Sequence, residues 1–353
     1  MISNIVLFPY WLALRVRHLF YDKGWRKRSE HPVTVISVGN VTVGGTGKTP
    51  MVEYLVTLLQ GRCRVAVLSR GYKRKGRGFH RVTPEDTALT VGDEPLQMCL
   101  KFPHVPVAVD KDRNHGVRQL LELPENERPD LVILDDGFQY RALKPAFEIA
   151  LVDYNRPVYD DSLMPIGRLR DLPGRLSRAD AVVVTKVPEQ LDEAEREQVR
   201  RKLRLREDQP LYFAGIRYCD PLPVFQSEAD KRYAYSQEVY LFSGIADDRP
   251  LLDFLYDRYA FIEHRQFGDH HRFTRADERA LAGYVRKHPS TLLLTTEKDA
   301  MRLLHCAKLH AEVRRRLFYL PIKTQFLTWE EGSGFDGMIR KVAPEKTFNG
   351  LLF

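Results

Sequence analysis

VISVGNVTVGGTGKTP, residues 35–50, joins an apolar run to a glycine-rich turn that ends in a lysine and a threonine. This order predicts a strand, a loop and the first turn of a helix, so that backbone N–H groups and the positive end of the helix face a bound polyphosphate. In such a loop Lys48 reaches the outer phosphates and Thr49 is a ligand for Mg²⁺. We therefore predict that a nucleoside triphosphate binds to a run of consecutive residues: Thr42, Val43, Gly44, Gly45, Thr46, Gly47, Lys48 and Thr49.

The loop departs from the usual P-loop pattern G-x-x-x-x-G-K-[ST] at one position, because Thr42 stands where the first glycine is expected. Gly44, Gly45 and Gly47 still leave the backbone free to approach phosphate closely. The alternative is a glycine-rich turn between a strand and a helix in which the lysine–threonine pair occurs by chance. The apolar run before the loop and the helical pattern after it favour phosphate binding.

The composition, with 43% hydrophobic and 29% charged residues, is that of a soluble globular protein. The 353 residues exceed one typical domain, so we expect two, each with its own core. The four cysteines form no C-x-x-C pair, and we expect ordinary thiols of a reducing cytosol without a zinc site or a disulfide framework.

The net charge is +8, and basic residues concentrate in two clusters: Arg15, Arg17, Lys23, Arg26, Lys27 and Arg28; and Arg70, Lys73, Arg74, Lys75, Arg77 and Arg81. Such clusters fit an anionic partner, either a phosphate-bearing substrate, a membrane surface or nucleic acid. The second cluster taken alone fits a solvated loop equally well.

The first segment is apolar but short. Ile5–Leu14 covers only ten residues, whereas a helix that spans the hydrocarbon core of a membrane needs ~20. The segment also lacks the basic start and the small-residue cleavage site of a signal peptide. Aromatic and basic residues after it fit a helix that lies in a membrane surface, with an apolar face formed by Ile2, Ile5, Leu12, Val16 and Leu19. A helix packed on the protein's own core fits the same stretch equally well.

Along the rest of the chain, short apolar runs alternate with helical patterns, which is typical of an α/β fold with a doubly wound, mostly parallel sheet of the P-loop NTPase type. Polar residues follow several of these runs, at the edge where such sheets bind ligands. A looser stretch around Pro221 and Pro223 precedes a second, smaller α/β pattern. We therefore predict a membrane-surface helix over residues 1–28, a P-loop domain over 29–211, a linker over 212–235 and a smaller α/β domain over 236–353.

Two motifs carry carboxylates. LVILDDGFQY, residues 131–140, ends an apolar strand in Asp135 and Asp136, and an aspartate at such a strand end supports the Mg²⁺ held by the loop threonine. The alternative is a polar strand end that caps the next turn. VGDEP, residues 91–95, places Asp93 at a predicted helix start, where the residues by themselves favour a helix cap.

Two further segments carry candidate side chains. FGDHHRF, residues 267–273, contains His270 and His271, but no further ligand is spaced for zinc, so a histidine that polarises a base is the better hypothesis. PIGRLRDLPGRL, residues 165–176, supplies Arg170 among turn residues, where a guanidinium either clamps phosphate or decorates a loop.

Together these segments resemble the tetraacyldisaccharide 4′-kinase family, the lipid A 4′-kinases of Gram-negative bacteria. The resemblance rests on motifs that follow the family's order from Val35 to Ala300: VGNVTVGGTGKTP, SRGY, GDEP, DDGFQY, GRLRD, FSGIA, DHH and TEKDA. It implies a P-loop kinase that uses ATP and Mg²⁺ to phosphorylate the 4′-hydroxyl of a tetraacyl glucosamine disaccharide 1-phosphate. It also implies a peripheral protein on the cytoplasmic face of the inner membrane, and so favours the membrane-surface interpretation of residues 1–28.

The same resemblance implies roles for individual residues. The expected catalytic residues are Asp93, as the base, with His270 as its partner, and Lys48 and Asp136. The expected metal ligands are Thr49 and Asp135. The expected substrate contacts are Arg70, Arg170 and Asp171, which stands where the family often has glutamate. We expect a monomer that binds no nucleic acid.

Two other classes of protein compete with this interpretation. A ParA- or MinD-like ATPase, which positions cargo on membranes or DNA, would carry a signature lysine before the paired glycines, where this chain has Val43. A non-enzymatic nucleotide-binding regulator would use the basic clusters to hold nucleic acid. Binding to a lipid A precursor but not to nucleic acid would separate the kinase from the regulator.

Overall fold

The computed structural model of the chain describes residues 2–72, 74–304, 306 and 309–345, and the side chains of its first helix from Leu7 onward. Several residues named above lie outside this description: Met1, Lys73 of the second basic cluster, the side chains of Ile2 and Ile5, and residues 346–353.

Strands and helices alternate along the chain. The strands are β1 (Thr34–Gly39), β2 (Val65–Ser69), β3 (His80–Arg81), β4 (Val107–Val109), β5 (Leu131–Asp135), β6 (Phe147–Asp153), β7 (Ala181–Thr185), β8 (Leu211–Tyr218), β9 (Leu222–Pro223), β10 (Glu238–Ser243), β11 (Phe261–Gln266), β12 (Leu292–Thr296), β13 (Leu317–Leu320) and β14 (Ile322–Phe326). The helices are α1 (Ile2–Asp22), α2 (Lys48–Leu59), α3 (Asp93–Lys101), α4 (Arg113–Leu121), α5 (Glu193–Leu203), α6 (Arg249–Tyr256), α7 (Arg275–Lys287), α8 (Glu297–Leu303), α9 (Ala311–Arg316) and α10 (Trp329–Val342).

The larger sheet has the strand order β14–β8–β7–β6–β1–β5–β2–β4–β3. β1, which carries the apolar residues of the opening motif, lies near its centre and pairs in parallel with β5 and β6. The pairs β14–β8 and β3–β4, at the two edges, are antiparallel. The predicted α/β fold with a mostly parallel sheet is therefore confirmed.

Successive residues of β1 pack on opposite faces of this sheet. Ile36 belongs to the core under α2, together with Leu55, whereas Val35 belongs to the core on the other face, together with Leu120 of α4. A strand that is buried on both faces needs an almost continuous apolar sequence, and β1 has one. Because helices cover both faces, the sheet is doubly wound as predicted.

The smaller sheet has the order β11–β10–β12–β13–β9 and is parallel apart from β9. Its helix α8 packs against α3 of the larger unit. At this contact Lys101 Nζ lies 2.6 Å from Glu53 Oε2 and 3.1 Å from Glu297 Oε1. The larger and smaller units therefore contact each other along α3 and α8.

The structure differs from the predicted boundaries at two places. The predicted linker, 212–235, begins inside β8, which pairs with β7 and with β14. The last part of the predicted smaller domain, β14 and α10, returns to the larger unit, where Tyr54 of α2 donates a hydrogen bond to Asp336 at 2.6 Å. β8 forms between β7, which precedes it, and β14, which lies far downstream, and local pattern does not reveal the second partner.

Helix α1 uses one face to pack on the protein. Leu14 and His18 are buried in this contact. Tyr10 donates a hydrogen bond to the carbonyl of Arg170 at 3.0 Å, and His18 Nε2 lies 2.6 Å from Asp171 Oδ1. The alternative of a helix packed on the protein's own core is therefore correct for this face.

The opposite face of α1 and the residues after it expose large apolar side chains: Phe8, Leu12, Val16, Leu19, Phe20 and Trp25. Leu12, Val16 and Leu19 are spaced by about one helical turn and belong to the apolar face predicted from the sequence. In the part of the chain that the structure describes, no helix combines the length and apolar character needed to cross a bilayer.

The His18–Asp171 pair generates a test of how α1 is held. His18→Ala removes the partner of a carboxylate that is 1% exposed, so we expect the free energy of unfolding to fall by about 3 kcal/mol. Urea unfolding followed by circular dichroism measures this loss. Lys23→Ala, at an exposed position just after the same helix, is the control and should change the unfolding free energy by less than about 0.5 kcal/mol. Equal stabilities of the two variants would contradict a structural role for the pair.

Candidate active site

The loop between β1 and α2 has the backbone that phosphate binding requires. Gly44 and Gly47 have positive φ angles of 110° and 79°, which side chains rarely tolerate. Gly47 precedes α2 and no side chain caps this helix start. The first N–H groups of α2 are therefore left for a ligand, at the end of the helix that attracts anions.

Residue 42 explains why the loop tolerates threonine in place of glycine. Thr42 forms an antiparallel bridge with Leu169, and such extended backbone is open to any residue. On either side of the bridge, Val43 N donates to Arg168 O and Arg170 N donates to Val41 O, both at 2.9 Å. The GRLRD segment, residues 167–171, therefore supports the beginning of the loop, at residues 41–43.

Asn40, which the sequence analysis did not single out, links the two ends of the loop. Its side-chain amide donates to Thr46 Oγ1 at 2.6 Å and to Thr42 Oγ1 at 3.3 Å. Its side-chain oxygen accepts from Arg170 at 2.5 Å. Its place directly after an apolar strand, inside the opening motif, is the signal that could have identified it. These bonds order the loop before any nucleotide is bound.

Lys48 and Asp136, two of the predicted catalytic residues, lie close together. Lys48 Nζ is 3.8 Å from Asp136 Oδ1, and Arg170 binds the same carboxylate through both nitrogens, one of them at 2.9 Å. Burial alone would raise the pKa of Asp136, but the charges of Lys48 and Arg170 outweigh it and lower the pKa to about 2. Asp136 is therefore ionised and balances two cations beside the loop.

Asp135 has the opposite electrostatic character. Its Oδ2 accepts a hydrogen bond from Ser69 at 3.1 Å, whereas its Oδ1 is buried without a partner. Burial and the neighbouring carboxylates of Glu94 and Asp136 raise its pKa to about 7. An unpaired oxygen among crowded negative charges fits a cation such as Mg²⁺. No group of three or more His, Cys, Asp or Glu side chains within the described residues could hold a metal on its own, so phosphate oxygens would supply further ligands.

The second group of candidates meets where the two sheets approach each other. Asp93 begins α3, and its Oδ2 lies 3.3 Å from Nδ1 of His270, in the loop after β11. His271 instead binds Asp277 at 3.0 Å and stacks on Phe267. Of the two histidines in the DHH motif, the structure thus brings only the first to Asp93.

Two cations of α8 lie beside this pair, and neither is among the residues predicted from the sequence. Arg302 donates to Asp93, and Lys298 donates to Glu94. Burial would raise the pKa of Asp93, but the hydrogen bond from His270 and the charges of Lys298 and Arg302 hold it well below its usual range. Lys298 belongs to the TEKDA motif, and Arg302 follows it by one helical turn, a spacing that could have indicated both.

The predicted substrate contacts are placed differently from one another. Arg70 is exposed directly after β2, and Arg170 is part of the network of Asp136 and Asn40. Asp171 is buried, and its Oδ1 is bound by His18 and by the backbone N–H of Leu172. The carboxylate of Asp171 therefore faces α1 in this structure, and its contact with substrate stays a prediction.

Comparisons with known proteins agree with one another. A family model described as tetraacyldisaccharide-1-P 4′-kinase (LpxK) matches residues 4–342. The chain is 40% identical over 334 residues to the tetraacyldisaccharide 4′-kinase of Bacteroides thetaiotaomicron, covering 91% of this chain and 88% of that protein. It is 37% identical over 358 residues to the tetraacyldisaccharide 4′-kinase of Phocaeicola vulgatus, covering 98% of each.

A solved structure has the same fold. The crystal structure of an "apo" form of LpxK from Aquifex aeolicus in complex with ATP has a TM-score of 0.72 and 29% identity, covering 97% of this chain and 100% of that one. These findings do not favour the ParA- or MinD-like alternative. The chain belongs to the tetraacyldisaccharide 4′-kinase family, phosphotransferases of lipid A biosynthesis that act on an alcohol group.

Proposed function

We propose that this chain transfers the γ-phosphate of ATP with Asp93 as general base and with the loop of residues 42–49 as the nucleotide site. The observation that carries the proposal is the contact between Asp93 and His270 close to the loop. Glu94, the neighbour of Asp93, interacts electrostatically with Lys48 and with Asp135. The base and the phosphate-binding lysine are therefore held in one continuous charged network.

The nucleotide site supplies positioning and charge. The backbone amides at the start of α2 would bind the phosphates, and Lys48 would neutralise charge on the group that is transferred. The loop is anchored by the GRLRD segment and by Asn40 before ATP arrives, so little ordering entropy is lost on binding. The Aquifex aeolicus protein was crystallised with ATP, which supports ATP as the donor here.

The acceptor is a sugar hydroxyl. As its oxygen forms the new bond to the γ-phosphorus, the bond from that phosphorus to the bridging oxygen of ADP breaks, and the hydroxyl proton passes to Asp93. The low pKa of Asp93 keeps its carboxylate ionised near neutral pH. A weak base is sufficient here because the transition state of phosphoryl transfer is loose. His270 orients the carboxylate through the 3.3 Å contact.

Mg²⁺ would be held by Thr49 and Asp135 together with the phosphates of the nucleotide. The metal would neutralise charge on the β- and γ-phosphates. Of the two predicted arginines, Arg70 is better placed than Arg170 to bind the 1-phosphate of the substrate. Arg70 is exposed, whereas Arg170 is already bound to Asp136.

The exposed apolar face of α1 would lie in the cytoplasmic surface of the inner membrane. Arg15, Lys23 and the basic residues up to Arg28 flank this face, as in helices that bind anionic lipid surfaces. A peripheral location would give the enzyme direct access to an acylated substrate. The monomeric state and the lack of nucleic-acid binding stay predictions.

Asp93→Asn tests the general base. We expect kcat to fall by about 10²- to 10⁴-fold with little change in ATP affinity, because the amide cannot accept the hydroxyl proton. The assay follows label from γ-labelled ATP into disaccharide 1-phosphate in detergent, and equilibrium binding measures the ATP affinity. Asp257→Asn, at an exposed position after α6, is the matched control and should leave kcat unchanged. Near-normal turnover of Asp93→Asn would remove Asp93 from this role.

The raised pKa of Asp135 predicts how the Mg²⁺ requirement depends on pH. Below about pH 7 the metal must displace a proton from this carboxyl, so the Mg²⁺ concentration for half-maximal activity should rise from about pH 8 to about pH 6, by up to ~10-fold per unit. Mg²⁺ titrations at saturating ATP measure it. Asp135→Asn should need more Mg²⁺ at every pH but lose the part of the pH dependence that does not come from ATP itself. Identical pH profiles of the two proteins would contradict the metal role.

Membrane binding by α1 is tested with Leu12→Glu combined with Val16→Glu. Both side chains are exposed on the apolar face, and charging them should weaken binding to anionic lipid vesicles by about 10-fold or more. Cosedimentation with vesicles measures the binding, and ATP affinity should not change. Leu222→Glu, at an exposed position of β9, is the control. Equal vesicle binding by the control and the double variant would contradict the proposal.

A further inference from the structure

Arg302 of α8 occupies a place between the two sheets that the proposed chemistry does not yet use. Its side chain is 9% exposed. One end of its guanidinium, Nη1, donates to Asp299 Oδ1 at 2.7 Å and to Gly244 O at 3.2 Å. The other end, Nη2, donates to Asp93 Oδ2 and lies 3.1 Å from His270 Nδ1. One buried cation therefore contacts both members of the proposed base pair.

Asp299 in turn fixes Arg302 to the smaller sheet. This carboxylate is fully buried, and it accepts from the backbone N–H of Gly244 at 2.8 Å and from Thr296 Oγ1 at 2.7 Å. A Cβ on Gly244 would come within 2.9 Å of Asp299 Oδ1, so the close approach of backbone and carboxylate requires glycine. Asp299 and Gly244 thus hold the side chain of Arg302 at the carboxyl ends of β10 and β12.

The same backbone group also holds His270. The carbonyl of Gly244 accepts from the N–H of His270 at 3.0 Å as well as from Arg302. His270 has a positive φ of 61°, a conformation that is uncommon for a residue with a side chain and persists only where its surroundings support it. The histidine and the arginine therefore share one support in the smaller unit.

Asp93, by contrast, belongs to the larger unit. The two acids at the start of α3, Asp93 and Glu94, each meet one cation of α8, Arg302 and Lys298, which are four residues apart and so lie on the same side of that helix. A small shift between the two units would break the 3.3 Å contact between Asp93 and His270. The charged groups that face Asp93 are Arg302 and Lys298 from α8, His270 from its loop and Glu94 from its own helix.

We propose that Arg302, anchored by Asp299, is a positioning residue that holds Asp93 of the larger unit against His270 of the smaller unit. The inference rests on the proposed role of Asp93 as the base. Arg302 is not assigned a contact with the reacting atoms. Its removal should therefore lower kcat through misplacement of the base, while the nucleotide loop, supported from the GRLRD segment, keeps its affinity for ATP.

The test is a double-mutant cycle of Arg302→Gln and Asp93→Asn, assayed by transfer of label from γ-labelled ATP to disaccharide 1-phosphate. Arg302→Gln alone should lower kcat by about 10²-fold and leave KM for ATP within about twofold. In the Asp93→Asn background the same substitution should have almost no further effect, because a residue that acts through Asp93 cannot act once the base is lost. Arg302→Lys, which keeps the charge but not the forked geometry, should recover only part of the rate. Arg286→Gln, on an exposed part of α7, is the matched control.

Each outcome of the cycle has a definite meaning. Additive losses, a change in KM without a change in kcat, or full activity of Arg302→Gln while Asp93→Asn is impaired would each overturn the role of Arg302 alone. Near-normal activity of Asp93→Asn would overturn the general base, and with it the inference. If Arg302→Gln loses its thermal unfolding transition, Asp299→Asn replaces it in the cycle. This variant keeps Arg302 but removes the charge that anchors it, and the same non-additivity is expected.

Discussion

The start of α2 is the constraint on which the rest of this structure depends. This helix follows a glycine in the left-handed conformation and has no side-chain cap. Gly47 turns the chain into α2 and leaves the first amides of this helix without a side-chain cap. These groups need a partner, and an anion is the partner that the helix dipole favours. The central position of β1 in the sheet, between β5 and β6, brings Asp135 and the GRLRD segment to the same place.

The site beside the loop brings several charged side chains together in a buried environment, where their charges must be balanced. Glu94, Asp135 and Asp136 are crowded together, and the nearby cations are shared unevenly: Lys298 pairs with Glu94, whereas Lys48 and Arg170 pair with Asp136. Asp136 has two close cations and is ionised, whereas among the described residues Asp135 has no cation within hydrogen-bond distance, and its pKa is raised to about 7. The pKa is therefore raised for Asp135 and lowered for Asp136, because successive side chains at a strand end face different surroundings. A metal ion brought with the nucleotide would complete the balance.

The contact between the two units forms around Asp93, the proposed base for the acceptor. Asp93 lies at the start of α3, and a helix start suits a carboxylate whether or not it is catalytic. For this reason the GDEP motif by itself favoured a helix cap, and only the approach of His270 and Arg302 from the smaller unit distinguishes Asp93 from other capping acids.

Helix α1 shows a similar division. Its residues fitted both a membrane surface and a protein core, and its two faces are different: one is buried against Arg170 and Asp171, and the other is exposed.

Local pattern by itself determined the phosphate-binding loop, the mostly parallel sheet and the motifs that identify the family, because glycine spacing and apolar periodicity act over a few residues. It also named Lys48, Asp93, Asp136 and His270, which the structure brings together in pairs. Only the tertiary structure decided that β8 and β14 extend the larger sheet, that Asp171 faces α1, that Arg302 contacts Asp93 and that Asn40 contacts the loop. Each of these contacts joins residues far apart in the chain or depends on the direction of one side chain. Packing and burial in the folded chain determine such contacts, and the spacing of residues along a segment reveals neither of them.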